Sequence, residues 1–428
     1  VVSLRRFLAG PPELNPIQRR NFRNVELDAI AVGLANAAAP FLPVFLTRLG
    51  ASSFQVGLLS SLPALTGLVL ALPMGQFLQR QRNIVRWFSL SRMGYILGYG
   101  LIGLVSLVLP PSWQVGGILF LWALATIPQT MLSITFSVVM NAVAGPNYRF
   151  DLMTRRWSIL GVTTSVAVLL IGQLLDRIAF PLNYQLAFMG LGLAGILSYY
   201  FSSQIVLPEM PVNEEQEPKG IKERLARYLH ILRNERAFLS FVARRFIFLT
   251  GSALVTPIFP LYFVRVVHAS DGWIATINTA QTAILMVGYF FWSAQSRRRG
   301  TRWILLWTTF GVGIYPILVA LTRRVELIAA LAGITGIFQA GLNLVFFDEL
   351  MKRVPMEYSA SFVALAQELQ YISSMVAPVL GTSLADWLGL PVALWIGGGV
   401  QLLGFVLFAT MDRSKNSVAV EEAEPAGS

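Results

Sequence analysis

Apolar runs of roughly 20 residues follow one another along this chain, separated by short polar stretches rich in arginine. A helix rises 1.5 Å per residue, so about 20 residues cross the roughly 30 Å of a bilayer's hydrocarbon. Twelve such runs are predicted as spans, at 25–48, 56–78, 85–109, 115–140, 156–178, 184–206, 238–264, 273–295, 303–321, 326–349, 361–387 and 391–411. The fold class expected is an all-α membrane protein of twelve transmembrane helices.

The pattern is written twice. PFLPVFLTR at Pro40 to Arg48 returns as PIFPLYFVR at Pro257 to Arg265, so that Pro40 pairs with Pro257, Pro43 with Pro260 and Arg48 with Arg265 at a constant offset of 217. Gln129, Ser133 and Asp176 match Gln339, Asn343 and Asp386 at an offset of 210. Ordered matches across several helices imply duplication into two pseudo-symmetric six-helix bundles. A proline in a spanning helix frees the carbonyl four residues earlier, here of Asn36 and Ala39, and of Ala253 and Thr256. Freed carbonyls are tolerated against protein or a wet cavity, so the paired prolines Pro40, Pro43, Pro257 and Pro260 are expected to act as gate or hinge positions beside a pathway.

The longest polar interruption divides the chain. Residues 1–24 are expected to form a cytoplasmic arm, 25–206 an amino-terminal bundle, 207–236 a cytoplasmic linker, 237–412 a carboxy-terminal bundle and 413–428 a disordered tail. Within the linker, PEMPVNEEQEPKG reads as flexible, whereas Ile221, Leu225, Tyr228, Leu229 and Leu232 fall at helical spacing among basic residues. That pattern predicts an amphipathic helix on the membrane surface.

Composition agrees, with 55% hydrophobic and 13% charged residues and a mean hydropathy of +0.62. Of the Lys and Arg residues, only Arg48, Arg177, Arg265, Arg323 and Arg324 fall on one face, and Arg92 lies within a span. The rest share the face of both termini, which the positive-inside rule makes cytoplasmic, in a plasma or inner membrane. The net charge of +11 is thus an orientation signal and an affinity for anionic lipid, not a nucleic-acid footprint. No removable signal peptide is read in the arm. The chain has no cysteine and two histidines, no HExxH and no GxxxxGK[ST] loop, so enzyme chemistry, a metal site and a cofactor are not expected.

The whole chain resembles the major facilitator superfamily. The loop signature which that family carries after its second span is matched by Gly75, Gln79, Arg80 and Arg82, and its second-half copy by Ser293, Arg297, Arg298, Gly300 and Arg302. Gln79 and Arg297 stand where the family has an acid. The resemblance implies alternating access, with the first, fourth, seventh and tenth spans lining the cavity.

Amides in hydrocarbon need partners and face neighbours or water. The expected cavity residues are Asn36, Gln129, Ser133, Ser137, Gln281, Gln339, Asn343, Gln367, Gln370 and Tyr371, although each could instead bond helix to helix. Buried acids are the proton carriers of coupled transporters, and the candidates are Glu368, Asp28 and Glu26. Asp28 and Glu26 are placed near the cytoplasmic end of the first span, and Glu368 two turns into the eleventh. Gly94, Gly98, Gly190, Gly192 and Gly195 are read as close helix contacts.

The function expected is secondary transport of a small molecule, coupled to protons or another ion, with efflux of a drug-like compound or metabolite ahead of sugar or glycoside uptake. A transport-inactive scaffold or sensor is the reading from another class. A lining of amides, hydroxyls and aromatics with no central fixed charge favours a neutral, cationic-amphipathic or polyhydroxylated substrate over a phosphate or dicarboxylate.

Overall fold

The computed structural model describes residues 15–79, 81–207, 235–353 and 359–410, and every regular element in them is helical. The linker helix expected at Ile221–Arg233, the residues of the arm before Asn15, Arg80 and the tail after Thr410 lie outside the described residues.

The first span comes in two pieces, α1 (Pro16–Asn36) and α2 (Phe41–Arg48). Helix α1 starts well inside the stretch read as an arm, because Asn15 forms a capping box with Gln18 and Pro16 sits in the first turn. Between the pieces, Ala37, Ala38 and Ala39 donate to the carbonyls of Leu34, Ala35 and Asn36. The carbonyl of Asn36, expected to be orphaned by Pro40, is therefore satisfied by a tightened turn. The seventh span repeats the design as α7 (Arg236–Val255) and α8 (Ile258–Arg265), broken at Thr256 and Pro257.

The other helices are α3 (Ser53–Gln79), α4 (Ile84–Val108), α5 (Pro111–Arg177), α6 (Leu182–Ser202), α9 (Asp271–Arg299), α10 (Thr301–Ala320), α11 (Val325–Met351), α12 (Ser359–Leu388) and α13 (Leu390–Ala409). The fourth and fifth spans run into each other as α5, broken only where Gly145 takes φ 63°, a conformation that favours glycine. Eleven segments among the described residues are long and apolar enough to cross a membrane. The eleventh predicted span is present as α12, the helix that carries Glu368 and its neighbouring amides.

Packing follows the repeat. Helix α4 packs on α6 as α10 packs on α13, and the two halves meet where α3 lies on α12 and α5 lies on α9. Small residues allow these approaches. A Cβ on Gly57 would strike Thr382, and one on Gly172 would strike Ala275 and the carbonyl of Asp271. Of the glycines read as contacts, Gly98 lies against Ala125, Gly192 against Gly100, Gly195 against Ile96 and, more loosely, Gly94 against Pro128. Gly190 does not: open space surrounds it, because it sits on the opposite face of α6 from the partner α4.

Candidate functional site

The two halves are joined by hydrogen bonds at the end of the bundle opposite to Asn15 and Thr410. Arg48 at the end of α2 donates to Oδ1 of Asp271 at 2.9 Å and to the carbonyl of Ala269 at 3.3 Å. Its counterpart Arg265 at the end of α8 donates to Oγ of Ser53 at 2.9 Å and to the carbonyl of Ala51 at 2.6 Å. Asp176 at the end of α5 accepts the backbone N–H groups of Asp271 and Gly272, capping α9 of the other half. Asp386 accepts the hydroxyl of Ser53 at the start of α3. Carboxylates at helix N-termini satisfy orphan donors and suit the positive end of the helix dipole. Tyr184 adds a hydrogen bond to Asp271 at 2.5 Å.

Beneath this clasp lies a cavity of about 520 Å³ between the halves. Pro40, Pro43, Pro257 and Pro260 all line it, so both helix breaks face the same space. Tyr95, Tyr99 and Trp122 form one wall, while Phe259, Phe263 and Tyr315 form another. The rings are held in place: Tyr95 and Tyr99 share a hydroxyl hydrogen bond of 3.1 Å, and Trp122 donates its indole N–H to the carbonyl of Leu59 at 3.0 Å. Asn278, Gln281, Gln339 and Gln401 supply the amides, and Gln401 is buried with its carbonyl oxygen unpartnered.

Two side chambers adjoin the cavity. One, of about 420 Å³, shares Gln339 with it and is lined by Arg245, Asn343, Gln367 and Gln370. There Gln339 donates to Asn343, Asn343 to Tyr289, and Arg245 to Gln370. The other, of about 340 Å³, shares Tyr95 and is lined by Asn36, Gln129, Ser133, Arg92 and Arg156. Behind it Asp28, fully buried rather than near a helix end, is ion-paired with Arg92 and accepts the hydroxyl of Ser198. Both side chambers thus carry fixed charge, Arg245 in one and Arg92 and Arg156 in the other, whereas the residues lining the central cavity carry none. Arg156 precedes the apolar run of its span and reads in sequence as a loop charge, and Arg92 carries no partner signal in sequence.

The predicted residues thus fall into three groups. Gln281 and Gln339 lie on the central cavity, whereas Asn36, Gln129 and Ser133 line one side chamber and Gln339, Asn343, Gln367 and Gln370 the other. Tyr371 packs against Gly67 where α3 meets α12, and neither Ser137 nor Glu368 is among the lining residues of these three spaces. Glu26 pairs with Arg155 at 3.3 Å. Of the loop motif, Gly75 lies in the last turns of α3, Gln79 ends that helix, Arg297 and Arg298 lie in the last turn of α9, and Gly300 follows at φ 78°. The side chains of Gln79 and Arg297 are outside the described residues. The clasp itself was missed by sequence reasoning, although the matched Arg48 and Arg265, and Asp176 and Asp386, carried its signal.

A helical bundle of two related halves around a central cavity defines the class as a polytopic membrane protein. The description Major Facilitator Superfamily matches residues 241–427. That match covers the carboxy-terminal part of the chain, somewhat less than half of it. It is similar to the multidrug resistance protein MdtG of Serratia proteamaculans, 27% identical over 176 residues, which are 39% of this chain and 42% of that protein. MdtG of Escherichia fergusonii is 27% identical over 169 residues, 37% of this chain and 40% of that protein. The chain thus spans about two-fifths of the length of the curated relatives it matches. Among solved structures, a bacterial homologue of the human lysosomal transporter Spinster, inward-facing and occupied, superposes with a TM-score of 0.69 at 12% identity, covering 92% of this chain and 97% of that one. A bacterial homologue of the iron transporter ferroportin, in an inward-facing state, gives 0.66 at 14% identity, covering 92% and 98%.

Proposed function

We propose that the chain is a secondary transporter that moves a small organic molecule across the cytoplasmic membrane by alternating access. The carrying observation is the central cavity between the halves, closed over at one end by a clasp to which both halves contribute. The partial family match and the likeness to solved transporter structures support this reading. With both termini cytoplasmic, the clasp is the outer gate and the described conformation is inward-facing. The halves 25–206 and 237–412 rock about the cavity, and the breaks at Pro40 and Pro257 let α2 and α8 tilt separately from α1 and α7.

Efflux is the direction that the resemblance to MdtG supports, since those relatives are named for multidrug resistance. An aromatic wall with a few amides suits an amphipathic aromatic body, because ring stacking and apolar contact tolerate many shapes while amides add orientation. Proton coupling fits best at Asp28, which is buried beside a chamber and holds both Arg92 and Ser198. Glu368 and Glu26 are the other carboxyl candidates.

The test is retention of aromatic dyes by cells deprived of their own efflux pumps and expressing this chain. Reduced accumulation, restored by Gln281→Ala or Gln339→Ala, is the expected result. Unchanged accumulation for anionic, neutral and cationic dyes alike would reject efflux.

A further inference from the structure

The side chamber of the amino-terminal half holds a buried cation that has no ion pair of its own among the described residues. Arg156 is only 3% exposed, and among the described residues its Nε and Nη1 have no hydrogen-bond partner. Its guanidinium lies against Phe136 at 4.5 Å and Trp157 at 5.1 Å from the ring centroids. Ring faces attract a cation, yet they leave its in-plane N–H donors unused. The nearest acid is shared, since Asp28 attracts Arg156 but is ion-paired with Arg92. Arg92 is committed to Asp28 and Arg155 to Glu26, so three arginines face two acids among the described residues.

A buried guanidinium with free donors is expensive unless an anion completes it. The chamber has the room, about 340 Å³, and around the arginine it places Asn36, Gln129 and Ser133, whose amide and hydroxyl groups can hydrogen-bond an oxyanion. Tyr95 borders both this chamber and the aromatic cavity.

Resting on the transport reading above, we propose that Arg156 anchors an anion-binding site and that the substrate class is an amphipathic aromatic carboxylate. The carboxylate takes the planar donor pair of Arg156, a geometry that lysine cannot reproduce. The aromatic body extends past Tyr95 into the cavity walled by Tyr99 and Trp122. Arg92 stays with Asp28 and keeps that acid from repelling the ligand.

The experiment is calorimetric titration of the purified full-length chain in detergent with 2-naphthoate, its uncharged isostere 2-naphthamide, sodium chloride and inorganic phosphate. Charge-assisted hydrogen bonds predict that naphthoate binds roughly ten- to a hundredfold tighter than the amide. Arg156→Gln erases that preference, while Arg156→Lys keeps only part of it. Should Arg156→Gln not fold, the wild-type preference and the Arg156→Lys variant decide alone. Equal binding of acid and amide, or a preference that survives Arg156→Gln or is undiminished in Arg156→Lys, overturns the site. Phosphate or chloride binding as tightly as naphthoate overturns the aromatic substrate class. Uptake into proteoliposomes is read separately: binding without movement rejects transport and leaves the anion site standing.

Discussion

Arg48 reaches across the two halves to Asp271, and 217 positions later Arg265 reaches back across them to Ser53. The two contacts differ in strength, because only the first is an ion pair. Its carboxylate is buried, with 6% side-chain exposure, while Arg48 retains 29%, so solvent screening limits the pair to roughly 1 kcal/mol. Removing it with Arg48→Ala shifts the balance toward the opposite conformation by about fivefold. The chain has no cysteine, so paired labels introduced at the two ends of the bundle report without background. Longer distances at the clasp end and shorter ones at the other end are expected. Distances that do not move would remove Arg48 from the gate.

Deep in the amino-terminal half, Asp28 and Arg92 have side chains only 1% and 3% exposed. Removing one member of such a pair strands the other, at a cost of about 3–5 kcal/mol. Arg92→Met and Asp28→Leu alone are each expected to lower the melting temperature sharply. The double variant recovers much of the loss, since an apolar pair has no charge to desolvate. A double variant no more stable than the worse single one would show that the two residues do not act as a pair.

Coupling is assigned by the same geometry. Asp28→Asn is expected to abolish transport driven by an imposed pH gradient in proteoliposomes while leaving exchange between labelled and unlabelled substrate intact. Glu368→Gln, on α12 and not among the residues lining the three spaces, leaves gradient-driven transport in place. The reverse pattern would move the coupling step from the first span to the eleventh.

How far these features were legible in the sequence depended on whether they are local. Spans, breaks and duplication were readable because hydrophobic length and proline act within a few residues. Gln281 and Gln339 were readable as cavity candidates because an amide in an apolar run is locally anomalous. The union of Asp28 with Arg92, 64 residues apart, is set by how α1 lies on α4 and leaves no local trace. Arg156 was hidden for a different reason, since a cation at a span end satisfies the positive-inside pattern whether or not it turns inward. Asn36 showed the opposite error, because a freed carbonyl was inferred from Pro40 where a turn bonded at closer spacing had already satisfied it.

The two glycines of α6 separate packing from mere composition. Gly192 meets the backbone of Gly100 on α4, so an added methyl there would collide with main-chain atoms that cannot rotate away. Overpacking of this kind costs about 1–3 kcal/mol, and Gly192→Ala is expected to lower the melting temperature by opening the α4–α6 contact. Gly190 faces open space two residues earlier. Alanine there meets no obstacle and gains helix propensity of up to about 1 kcal/mol, so Gly190→Ala leaves the melting temperature unchanged or raises it. Measured side by side in the same detergent, equal effects from the two substitutions would contradict the close approach of α4 and α6.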